Sequence, residues 1–179
     1  KESNITYPTD AKNLKTQMLM IWDCLQYFSK NGYNNGVSFA LKFDIVKALS
    51  DFRKYFFESD KDKKMAILTA LTKRIKILTE NALAAFEKIN LQKIKWYILR
   101  KLEKIQRYAK TYIKQVEHFC RTGHACKDKI LSFHLENVTS VQKGKEHKKY
   151  EFGEVWQIAR LDGNLCFGLF NDKDLRYND

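Results

Sequence analysis

The sequence predicts an α+β protein, mainly a bundle of about four long helices followed by a small β unit. Three observations carry this reading. One proline and seven glycines among 179 residues are too few for a turn-rich β fold. Apolar residues recur at helical spacing from about residue 9 to residue 123. Beyond residue 124 that period gives way to short β-prone runs bounded by turn residues. A run of helices and then a run of strands is the α+β arrangement.

Thr9 or Asp10 caps a first helix, on which Leu14, Met18, Ile21, Trp22, Leu25 and Phe28 share a face until Gly32 stops it. Residues 31–38, rich in glycine and asparagine, read as a loop. A second helix over roughly 38–58 turns Leu41, Ile45, Ala48, Leu49, Phe52, Tyr55 and Phe56 to a core. Ser59-Asp60 caps a third, with Met65, Leu68, Leu71, Ile75, Leu78, Ala82, Phe86 and Ile89 as its apolar set. The fourth and longest spans about 91–121. Its stripe is Leu91, Ile94, Ile98, Leu102, Ile105, Tyr112, Val116 and Phe119, and Gly123 ends it. The aromatic residues of these helices read as core and not as a stacking platform.

Ile130 to His134 is a short β-prone run. A charged turn over 143–149 leads into Tyr150 to Arg160, where apolar and polar residues alternate imperfectly. Asp162-Gly163-Asn164 makes a hairpin turn before Leu165 to Phe170, a run apolar on both faces that needs cover on both sides. Two or three strands are marginal by themselves, so the β unit reads as part of an incomplete sheet.

Hydrophobic residues at 44% and aromatics at 13% exclude a disordered tail. No apolar run approaches the ~18 residues of a membrane span, so no membrane partner is expected. The first thirteen residues are polar and hold no signal-peptide core. Cysteines at 24, 120, 126 and 166 form no dense framework, which points to free thiols in a reducing cytoplasm. The net charge of +12 is unevenly spread. Residues 1–60 carry +1, residues 61–114 carry +11, and residues 115–179 carry none. Such a concentrated cationic field attracts polyanions, DNA above all.

Two motifs at opposite ends of the chain carry a resemblance. One is Lys143-Gly144-Lys145-Glu146-His147-Lys148-Lys149-Tyr150-Glu151-Phe152-Gly153, a cationic turn feeding an aromatic strand. The other is Asn4-Ile5-Thr6-Tyr7-Pro8-Thr9-Asp10-Ala11. In this order they resemble bacterial insertion-sequence transposases of the DDE type, whose ribonuclease-H-like catalytic domain carries a long helical insertion.

The resemblance implies three parts: residues 1–8, following a missing first catalytic strand; residues 9–123, a basic helical insertion; and residues 124–179, the β-rich part of the catalytic core. It also implies an internal fragment, and the opening at Lys1 instead of Met agrees with one. The family's first aspartate would lie before Lys1 and its third carboxylate, a glutamate, after Asp179. Asp179, in Arg176-Tyr177-Asn178-Asp179, would be the second catalytic aspartate and a metal ligand. In such a centre three carboxylates hold two Mg²⁺ ions about 3.5–4 Å apart, one activating the nucleophile and the other stabilising the leaving oxygen. The intact enzyme would cut at transposon ends and join them to target DNA near the bacterial nucleoid, and a homo-oligomer is compatible with this. Holding one of three carboxylates, this chain would be inactive as a nuclease by itself.

The residues themselves offer two cationic sites for DNA. Lys143, Lys145, His147, Lys148 and Lys149 crowd the turn, Gly144 permits close approach to a phosphate backbone, and Arg160 follows on the next strand. A plain solvated loop is the competing reading. Within the helices, Lys73, Arg74, Lys101, Lys104 and Arg107 lead a larger set that includes Lys76, Lys93, Lys95, Arg100, Lys110 and Lys114. Lysines snorkelling round a bundle would look the same. His118, Cys120, His124 and Cys126 could gather on zinc, but their spacing matches no common structural site. No phosphate-binding glycine loop, dinucleotide turn, HExxH or GxSxG occurs. Two further readings stand beside the transposase: a non-enzymatic helical nucleic-acid-binding module or decayed remnant, and a helical module that meets an acidic protein.

Overall fold

A computed structural model of the chain describes residues 10–33, 39–127, 129–132, 138–145, 148–153, 156–160 and 166–170. Four helices dominate: α1 over Asp10–Lys30, α2 over Phe39–Phe57, α3 over Lys61–Phe86 and α4 over Trp96–Thr122. The chain divides into two compact units, Thr9–Phe133 and Lys1–Pro8 with His134–Asp179.

The first unit is an up-down-up-down bundle, and side-chain pairs fix its directions. Asp10 at the start of α1 meets Tyr112 late in α4, while Tyr27 near the end of α1 meets Tyr97 at the start of α4. Those two helices are therefore antiparallel. Gln17 and Thr79, then Phe28 and Phe86, pair α1 with α3 in the same direction. Leu14, Ile21, Phe28, Ile45, Phe52, Ile75, Ile98, Ile105 and Tyr112 fill the centre with almost no exposure. Gln17 is buried among them and donates to Thr79 Oγ1 at 2.9 Å, which fixes the diagonal register of α1 and α3.

Local chemistry sets the helix ends. Asp60 caps α3 through its carboxylate, which accepts from Lys63 N at 2.8 Å. Replacing Asp60 with alanine should cost about 1 kcal/mol, read as a lower urea midpoint with an unchanged slope. Gly123 closes α4 at φ 72°, a left-handed conformation that glycine adopts without strain, and its N–H donates to Phe119 O at 2.8 Å. The fourth helix starts later than its apolar pattern suggests. Asn90 caps a 3₁₀ turn over Leu91–Lys93, accepting from Gln92 N at 3.0 Å, so α4 begins at Trp96 and Leu91 lies exposed.

The two ends of this unit are held together. Tyr112 Oη donates to Asp10 at 3.2 Å, and Lys129 forms an ion pair with the same carboxylate. Asn13 Nδ2 donates to Leu131 O at 3.1 Å, and Ile130 N donates to Gln115 Oε1 at 3.1 Å. Of the strand expected from Ile130 to His134, residues 130–132 run as irregular chain whose backbone bonds to helix side chains instead, and residues 133 and 134 lie outside the described residues.

The expected α+β class is overturned: the fold is all-helical, and no strand lies within the bundle. Among the described residues, extended pairing outside it consists of two separate two-stranded hairpins, β1 (Thr139–Lys145) with β2 (Lys148–Gly153) and β3 (Trp156–Arg160) with β4 (Cys166–Phe170). No sheet of a ribonuclease-H-like kind is present among the described residues. The turn signals specify neighbour pairing, and alternation alone cannot add a third strand.

Two buried acids tie stability to alkaline pH. Burial pushes the Cys24 thiol up to about 12 from 9.0. Tyr112 is raised too, first by burial and then by the charge of Asp10. Both stay neutral in the fold, so their contribution is complete below about pH 9 and is lost as pH rises from there toward 12. The Tm should fall above pH 9, less steeply in Cys24→Ala; a Tm flat to pH 11 would contradict this.

Candidate nucleic-acid interface

Helix α4 buries one face, Ile98, Leu102, Ile105, Ala109, Tyr112, Ile113 and Val116, and leaves the opposite face to solvent. On that outer face Arg100, Arg107, Lys114 and Arg121 recur every seven residues, and all four are exposed. Seven residues nearly close two helical turns, drifting only ~20° per step, so these cations form one ridge. It runs roughly 31 Å at ~1.5 Å per residue. Lys104 and Lys110 flank it. On α4 Glu103 and Glu117 oppose seven Lys and Arg side chains. Glu117 is partly engaged by Lys76 of α3 at 3.2 Å, which reduces its opposition to the ridge.

The structure sorts the five helical cations of the sequence reading. Arg107 belongs to the ridge and lies over the ring of Tyr108 at 5.1 Å, and Lys104 flanks the ridge. Lys101 stands beside it, paired with Asp23 of α1. Lys73 is exposed on α3. Arg74 turns to α2, donating to Asp51 at 2.8 Å and to the backbone oxygen of Asp44 at 3.3 Å. That partly buried, two-acceptor arrangement joins two helices and spends the guanidinium on structure.

At the start of α4 lies an aromatic group. Trp96 is 69% exposed, with the Arg100 guanidinium 5.4 Å from its ring centre. Tyr97 meets Trp96 edge-on at 6.3 Å and Tyr27 edge-on at 6.2 Å. Tyr27 Oη accepts from Lys95 N at 3.3 Å. The expectation that helical aromatics are core therefore fails at Trp96 and Tyr97, and on α2 at Phe43, Phe57 and Phe56, the last of which was expected to face the core. Arg121 is a further ridge residue that a search for a seven-residue recurrence finds.

In the second unit the described residues of the cationic run lie on two paired strands. Lys143 and Lys145 lie on β1, and Lys148 and Lys149 on β2, with Lys145 opposite Lys148 across the pair. Arg160 ends β3, opposite Cys166. His147 and Asp179 lie outside the described residues.

Cys120 sits against Thr69 and Thr72 of α3, and Cys126 Sγ lies 3.8 Å from Gln115 O. Among the described residues no three His, Cys, Asp or Glu side chains converge as metal ligands. No described helix is long and apolar enough to cross a membrane. Comparisons of the chain with family models, curated proteins and solved structures find no match.

Proposed function

We propose that the bundle binds the phosphate backbone of DNA through the outer face of α4. The single observation behind this is the seven-residue recurrence of Arg100, Arg107, Lys114 and Arg121 on one exposed ridge. A solvating surface needs charge without order. A ridge of four cations with Glu103 as the acidic neighbour between Arg100 and Arg107, by contrast, concentrates net positive potential where a linear polyanion can lie. Such contacts position the nucleic acid without reading its sequence. The second unit carries Lys143 and Lys145 on β1 and Lys148 and Lys149 on β2, a second cationic stretch of chain.

The residue resemblance gives this binding a setting: the bundle as the DNA-gripping insertion of a DDE transposase. One observation favours an insertion, namely that Asp10, Asn13, Lys129 and Leu131 fasten together the places where the chain enters and leaves the bundle. In that setting Asp179 and Mg²⁺ would act only in the intact enzyme. A binding module without catalysis fits the same ridge.

The test is the salt dependence of binding to a labelled blunt duplex, followed by fluorescence anisotropy. If about six ridge cations meet phosphates, log K should fall against log salt with a slope near −5, at about −0.9 per contact. An affinity that stays level between about 50 and 200 mM salt would sink the proposal.

A further inference from the structure

We infer that Trp96 and Arg100 form a stacking platform for an unpaired nucleotide, so that the bundle favours a duplex ending in a single-stranded tail over a blunt one. The inference rests on the backbone-binding reading above and adds the kind of DNA end recognised. The starting point is an anomaly of burial. A tryptophan can bury 150–250 Å² on folding, yet Trp96 stands 69% exposed on a well-packed bundle.

The ring is nevertheless held in place. Arg100, one turn along the helix, lies over it at 5.4 Å, and Tyr97 abuts it edge-on at an interplanar angle of 87°. Tyr97 is braced in turn by Tyr27 of α1, whose hydroxyl accepts from Lys95 N. A chain of rings thus runs from the bundle to an exposed indole. A preorganised aromatic surface of this sort loses little conformational freedom when something stacks on it.

The surroundings select the occupant. Arg100 lies over the ring, Lys93 and Lys95 are exposed just before it in the chain, and the N-terminal end of α4 adds a positive dipole. An exposed aromatic face with a guanidinium on it, in a cationic stretch of chain, suits a group that is flat and carries a phosphate on each side. Bases in a duplex already stack on one another and show only their edges, whereas an unpaired base offers its face. The platform lies one helical turn before Arg100, where the cationic ridge begins. A duplex laid along the ridge could therefore end at the indole, with its tail continuing over the ring.

The experiment compares three labelled DNAs of equal duplex sequence: blunt, with a single-stranded tail, and with a tail of abasic sites that keeps the phosphates. The full chain should bind the tailed DNA about tenfold more tightly than either other form, within the range measured for one stacked base. Trp96→Ala should remove that preference and leave blunt binding unchanged. Trp96→Phe should keep part of it, and far-ultraviolet circular dichroism should show both variants folded. Equal binding of the tailed and abasic-tailed DNAs overturns the inference, as does a Trp96→Ala chain that still discriminates. Loss of binding to all three DNAs in the parent chain would instead overturn the backbone-binding reading beneath it.

Discussion

Reversing three ridge charges together, Arg100→Glu, Arg107→Glu and Lys114→Glu, should weaken binding to blunt duplex by about 100-fold or more at 0.1 M salt. Each lost phosphate contact removes about one counterion from the release that drives association, so the salt slope should fall by about 3 as well. The fold should survive. All three side chains are exposed, and the apolar face of α4 is untouched. Arg74→Gln is the informative control, because this cation is committed to Asp51 and Asp44. It should lower stability while leaving the salt slope intact. A triple variant that binds like the parent, with equal circular dichroism, would show that the ridge is only a solvated surface.

Lys129→Met should destabilise the bundle by about 3 kcal/mol, the low end for removing one member of a buried ion pair. The Asp10 side chain is 9% exposed and that of Lys129 18%, so the carboxylate left behind has little access to water. Tyr112 still donates to it, but one neutral hydroxyl does not replace an ammonium. Asp10→Asn on the Lys129→Met background should recover much of the loss, since it removes the stranded charge. Asp10→Asn alone should cost less than Lys129→Met, because a lysine can extend its head toward solvent. Denaturant unfolding of the four chains forms a double-mutant cycle. A coupling energy near zero would show that the pair does not hold the ends of the bundle.

The helices were largely legible because their signals are local. The Asp60 cap, the stop at Gly123 and the stripe through Ile98, Leu102 and Ile105 lie within a few residues of what they control. The start of α4 was not legible in the same way. The apolar pattern continues back to Leu91, but the Asn90 side chain diverts the backbone into a 3₁₀ turn. The exposure of Trp96 follows from its place nearly opposite Ile98 on the helix and is missed when the helical aromatics are read as core.

The division of the cations was legible in part. Arg107 and Arg74 look alike in sequence, and only the distant carboxylate of Asp51 shows that one is spent on structure. The class of the second unit failed for the opposite reason. Turns such as Asp162-Gly163-Asn164 predict which strands adjoin, but joining hairpins into a sheet depends on contacts that no local pattern contains.

The clasp of Asp10 and Asn13 with Lys129 and Leu131 makes the bundle a portable cassette. A segment whose ends already meet can be spliced into a surface loop of an unrelated scaffold without prying the host apart, and host and guest can each fold on their own terms. Its cationic rail would then travel with it, so grafting residues 9–133 should confer salt-sensitive DNA retention on a host that has none.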